Sequence, residues 1–72
     1  MEKLEYQVEK EELRNPVCIK TIHKDMVGGE TRVKQEREGT AKYLNKLHYW
    51  FAVEERDSMI DVYVGEESLE DN

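Results

Sequence analysis

The stretch Met59-Ile60-Asp61-Val62-Tyr63-Val64 constrains the fold of this chain more than any other. Ile60, Val62 and Val64 alternate with Met59, Asp61 and Tyr63, the period-two pattern that puts one set of side chains on each face of a β-strand. One set is wholly β-branched, so its face is expected to be buried and the other half-wetted. Gly65 closes the strand, and Glu54-Glu55-Arg56-Asp57-Ser58 before it has the polarity of a turn. A partner strand is therefore expected just upstream. Tyr49-Trp50-Phe51-Ala52-Val53 supplies it, with Tyr49, Phe51 and Val53 on one side and Trp50 and Ala52 on the other.

The same aromatic residues also fit a helical stripe, because Tyr43, Leu44, Leu47, Trp50 and Phe51 recur at intervals of three and four. A short helix from Thr40, its N-cap, to Leu47, followed by the strand, satisfies both patterns. Upstream, Val17 to Ile22 is predicted to be a strand with Pro16 at its head. Asp25-Met26-Val27-Gly28-Gly29 has turn chemistry, and Thr31-Arg32-Val33-Lys34 resumes an extended pattern. A first hairpin pairing residues 17–24 with 30–36 follows. Leu4, Tyr6 and Val8 alternate as a strand would, although Leu4 and Val8 are also four apart and Glu9 to Leu13 is rich in helix formers. The predicted class is α+β: a small antiparallel sheet of three to five strands, built from two hairpins, with one short helix. It forms one domain over residues 1–65, followed by a mobile acidic tail over residues 66–72.

Composition limits what such a domain can bury. Of the 72 residues, 39% are charged and 38% hydrophobic, against roughly 25% and 45–50% in ordinary globular domains. A core this small rarely yields more than about 3–5 kcal/mol, which makes a homodimer or a bound partner a natural source of extra stability. The longest apolar run, Tyr49 to Val53, is far short of the roughly 20 residues that a spanning helix needs. Met1-Glu2-Lys3-Leu4-Glu5 lacks the apolar stretch of a secretory signal, and a single cysteine, Cys18, suits a reducing compartment. The expected location is the cytoplasm, that of the host if the chain belongs with the small acidic modulators that phages encode.

Several function classes are disfavoured at once. Cys18, His23 and His48 are the only soft metal ligands, and none has the spacing of a zinc site. The acids match no calcium loop. Gly28-Gly29 lacks the Lys-Ser or Lys-Thr of a phosphate loop. Cys18 would need one of the two histidines beside it in a pocket, and a chain of 72 residues with no Gly-rich loop can hardly build one. No catalytic residue, metal or cofactor is expected, and the chain is predicted not to be an enzyme.

Charge is the informative feature. Residues 1–14 carry −2, residues 15–53 carry +3 and residues 54–72 carry −7, summing to −6. A cluster of carboxylates at one end can stand where nucleic acid presents phosphates and block a basic groove by complementarity. The leading expectation is therefore an acidic interaction protein that inhibits a basic, nucleic-acid-binding host protein. Glu54, Glu55, Asp57, Asp61, Glu66 and Glu67 would form its DNA-like surface, and Trp50 and Phe51 would anchor a dimer or partner contact. The alternative is a small adaptor that recognises a protein through a sheet edge or the Trp50/Phe51 patch. A third reading uses Lys20, Lys34, Arg37 and Lys42 to bind nucleic acid weakly.

Overall fold

A computed structural model describes residues 4–25 and 28–66. Three strands, β1 (Val17–His23), β2 (Phe51–Glu55) and β3 (Met59–Val64), and one helix, α1 (Glu30–Lys46), form an α+β domain. The strand predicted over residues 59–64 is β3, and it occupies the centre of an antiparallel sheet of order β1-β3-β2. β2 and β3 form the expected hairpin, with Phe51 opposite Val64, Val53 opposite Val62 and Glu55 opposite Ile60. Ile60, Val62 and Val64 are buried against the helix, as their alternation requires.

The first hairpin does not form. β1 pairs instead with β3, placing Thr21 opposite Asp61 and Ile22 opposite Ile60, and residues 30–36 begin the helix. β1 and β2 thus run parallel on either side of β3, joined by α1 in a split β-α-β arrangement. The reason lies in the Gly28-Gly29 pair, whose φ angles of 84° and 108° admit no ordinary side chain and set Gly29 as the N-cap. From there Val33, Ala41 and Leu44, at intervals of eight and three, lie on one helical face and are all buried. Their burial over the sheet outweighs the modest strand preference of Thr31 and Val33. Thr40 consequently lies in mid-helix rather than at its start. At the other end His48 adopts φ 64°, while the His48 and Tyr49 amides donate to Asn45 and Leu44 carbonyls, each at 3.1 Å. This is a complete Schellman termination, with histidine in the place that glycine usually takes.

α1 and the sheet enclose a core in two clusters, Ala41, Leu44, Phe51, Val62 and Val64 at one end and Val33, Ile22 and Ile60 at the other. Val53 packs against both. The strand expected over Leu4 to Val8 reduces to one parallel bridge between Gln7 and Phe51. The Phe51 amide donates to Tyr6 at 3.0 Å and the Val8 amide to Phe51 at 2.9 Å. A turn closed by the Gln7 amide on the Leu4 carbonyl stops the pairing upstream, and the Tyr6 amide is taken by Asn45 Oδ1 at 2.8 Å. Beyond it a single 3-10 turn, Lys10–Glu12, carries a reciprocal Glu9/Glu12 capping box. Lys10 then lies 4.4 Å from the centre of the Tyr63 ring, so this segment crosses the sheet face opposite the helix.

Candidate protein-interaction surface

The carboxylates of the expected acidic surface are dispersed and mostly engaged. Asp61 is 4% exposed; it accepts a hydrogen bond from Thr21 Oγ1 at 3.1 Å and pairs with Arg56 at 2.9 Å. Its burial removes it from any docking surface, although its neighbours on that face of β3, Met59 and Tyr63, are half-buried as the sequence pattern predicts. Glu54 lies 3.8 Å from Lys10. Glu55 is held by Lys24 at 2.8 Å and Arg37 at 3.0 Å. Glu66, expected in a mobile tail, accepts a hydrogen bond from Asn15 Nδ2, lies 4.0 Å from Arg14 and donates its amide to the Arg14 carbonyl at 2.7 Å. Asp57 is exposed in the β2–β3 turn. Glu67 and the rest of the tail, residues 67–72, lie outside the described residues.

The Lys24 hydrogen bond and charge, with Arg37 adding to them, hold the Glu55 carboxyl below the ordinary glutamate value. A carboxylate whose pKa is lowered by folding stabilises the fold above its unfolded pKa and loses that contribution as the pH falls through the lowered one. Glu55 is half exposed, so the effect is below about 1 kcal/mol. Wild type should therefore exceed Glu55→Gln in urea resistance near pH 7, and the gap should narrow as the pH falls below the ordinary glutamate range. A difference that persisted in acid would show that the triad acts by packing.

Phe51 and Trp50, expected to act together, are separated by the strand pleat. Phe51 is wholly buried in the larger core cluster and offers no surface to a partner. Trp50 is 43% exposed, its ring tilted at 52° against Tyr6 at 4.7 Å, while Tyr6 stacks on His48 at 5.0 Å. The basic residues are likewise divided. Lys20 faces Glu36 at 3.7 Å and Arg37 is committed to Glu55, whereas Lys34 and Lys42 make no ion pair among the described residues. Cys18 is exposed, with its Sγ 3.6 Å from Thr21 Oγ1. Among the described residues no group of three or more His, Cys, Asp or Glu is placed to hold a metal ion. No helix among them is long and apolar enough to cross a membrane.

The sequence offers a sheet edge as a recognition surface without saying which strand forms it. β1 is an edge strand, and Val17 and Ile19 are each 47% exposed on it. A bulge between Cys18 and Lys20 shifts the register there. The Lys24 amide bonds to Ser58 and Ile22 faces Ile60, so the alternation of an antiparallel ladder turns the backbone groups of Thr21 and His23 outward, away from β3. On α1, Tyr43 is 62% exposed and Leu47 is also exposed. They share with Glu36, the residue that reaches Lys20, the flank of the helix that overlooks β1. On the opposite flank, between α1 and β2, a groove of about 510 Å³ is lined by Leu4, Gln7, Glu38, Ala41, Lys42 and Val53, among others.

Fold and surface together define a small α+β protein whose sheet keeps an apolar margin in solvent. No protein-family model, curated protein or solved structure matches the chain.

Proposed function

We propose that the chain is a non-enzymatic interaction module that recognises a protein partner through the β1 edge of its sheet. The observation that carries this reading is the exposure of Val17 and Ile19 on a strand that, among the described residues, has no neighbour on its outer side. An open edge with apolar side chains is a template for an added strand, and proteins that do not use such an edge generally cover or charge it. Tyr43 and Leu47 extend the apolar surface from the strand onto the helix.

A second reading keeps the acidic surface directed at a basic, nucleic-acid-binding protein. It is favoured by the bias of charge, since residues 54–72 alone carry −7. Four of its six carboxylates already face a cation, which places this reading behind the edge.

One experiment separates them. The tagged chain and its Ile19→Glu variant capture proteins from bacterial lysate, with and without excess duplex DNA. Edge recognition predicts a retained protein that Ile19→Glu loses by more than ten-fold and that DNA leaves in place. Release by DNA, with Ile19→Glu indifferent, would select the acidic surface and sink the edge.

A further inference from the structure

The side of α1 turned away from the sheet differs in charge from the rest of the helix. Arg32, Gln35, Gly39, Lys42 and Lys46 recur at steps of three and four, so they form one stripe, opposite the buried Val33, Ala41 and Leu44. All five are exposed, and no acid stands among them. Glu36 is drawn toward β1 by Lys20 at 3.7 Å, Glu30 lines a hollow with Val33 and Ile60, and Glu38 lines the groove along β2. Arg32, Lys42 and Lys46 make no ion pair among the described residues.

Helical stability accounts for neither Arg32 nor Gly39. Arg32 is the third residue of α1, in the turn where the helix dipole favours an acid over a cation. Gly39 is in mid-helix, where only proline is less favoured than glycine. It does not take the positive φ of Gly28 and Gly29, and a Cβ added to it would meet nothing within 4 Å, so no contact inside the fold demands its smallness. Local preferences broken without an internal reason point to something that approaches from outside. One turn beyond Gly39, Tyr43 borders the stripe and is 62% exposed, more than any other large hydrophobic side chain among the described residues.

We propose that this face of α1 binds single-stranded nucleic acid. Arg32, Lys42 and Lys46 meet backbone phosphates over about 21 Å of helix, Tyr43 gives a base a ring to stack on, and Gly39 lets the strand lie against the helix between them. The ring selects the strand: a duplex keeps its bases stacked on one another, and an acidic peptide has none to offer. The net charge of −6 opposes association at long range, so the binding is weak and belongs to low salt. The site does not depend on the β1 edge.

The test is fluorescence anisotropy with a labelled oligothymidylate of about twelve nucleotides at about 50 mM salt. Wild type should bind saturably and weaken about 20-fold between about 50 and 200 mM salt, the slope that three phosphate contacts give on a single strand. The triple variant Arg32→Gln, Lys42→Gln, Lys46→Gln should lose more than ten-fold and Tyr43→Ala about five-fold or more, each with the wild-type circular dichroism spectrum. Gly39→Leu should unfold at higher urea than wild type, because leucine favours the helix, and yet bind about five-fold more weakly. Ile19→Glu should bind as wild type does, so that failure of this inference and failure of the edge reading are told apart. Absence of saturable binding by wild type overturns the inference, as does unchanged affinity in the triple variant or in Gly39→Leu. Equal affinity for a duplex of the same length, with Tyr43→Ala indifferent, overturns the single strand and leaves a site for phosphate alone. Tighter binding of a polyglutamate peptide than of the oligonucleotide also overturns it and gives the face to an acidic protein.

Discussion

Phe51→Ala should abolish the cooperative unfolding transition of this chain at room temperature. The ring is wholly buried among Ala41, Leu44, Val62 and Val64, and the backbone of the same residue holds the N-terminal segment through Tyr6 and Val8. Truncating a buried phenylalanine costs about 3–5 kcal/mol, the transfer of the ring plus the cavity left behind. A single core in a chain of this length supplies about as much in total. A urea titration followed by circular dichroism reads the outcome. Phe51→Leu, which keeps most of the volume, should retain a sigmoidal transition at lower urea. A Phe51→Ala protein that still unfolded cooperatively within about 1 kcal/mol of wild type would mean that the two core clusters stand independently.

The second large effect is expected at Asp61. Asp61→Ala removes the acceptor of the Thr21 hydroxyl and the partner of Arg56 from a site sealed beneath the surface. Arg56 is half exposed and recovers water, so the loss comes mainly from the half-buried hydroxyl and the space left behind. Together these amount to about 2 kcal/mol. Asp61→Asn retains an oxygen for Thr21 and should lose about half of that. The urea midpoint of the two variants checks the ordering. Equal losses would assign the effect to the Arg56 charge pair, and no loss for Asp61→Ala would remove any structural role for the carboxylate.

The parts of the fold governed by near neighbours were legible in the sequence. β3 and a return strand before it follow from alternation, polarity and Gly65, but the turn read over residues 54–58 is shorter, since Glu54 and Glu55 end β2, which starts at Phe51 rather than Tyr49. The helix was legible only in its second half. Its buried stripe amounts to Val33, Ala41 and Leu44, too sparse to raise a helical period over the charged residues between them. The dense run of helix formers from Lys34 to Glu38 was the available signal, and Gly39 obscured it.

The candidate site was less legible, for a geometric reason. Which cation meets which carboxylate depends on chain crossings: Lys24 and Glu55 are 31 positions apart, and Thr21 and Asp61 are 40. A count of acids along the chain cannot show that most of them are answered. The exposure of β1 is likewise a property of strand order. Val17 to Ile22 has the composition of a covered strand, yet only Ile22 reaches the core, and Val17 and Ile19 are exposed on an edge whose one neighbour is β3.

That strand order also sets a schedule for synthesis. β1 and β2 do not touch each other through the ladder; both wait for β3. As the chain leaves the ribosome, α1 can wind as soon as it emerges, but no two strands can join until residues 59–64 are free. Until then β1 has neither side paired, and its apolar residues are open to chaperones and to neighbouring nascent chains. Completion of the sheet is then a single late event, in which β3 inserts between two waiting strands and sheet and core close together.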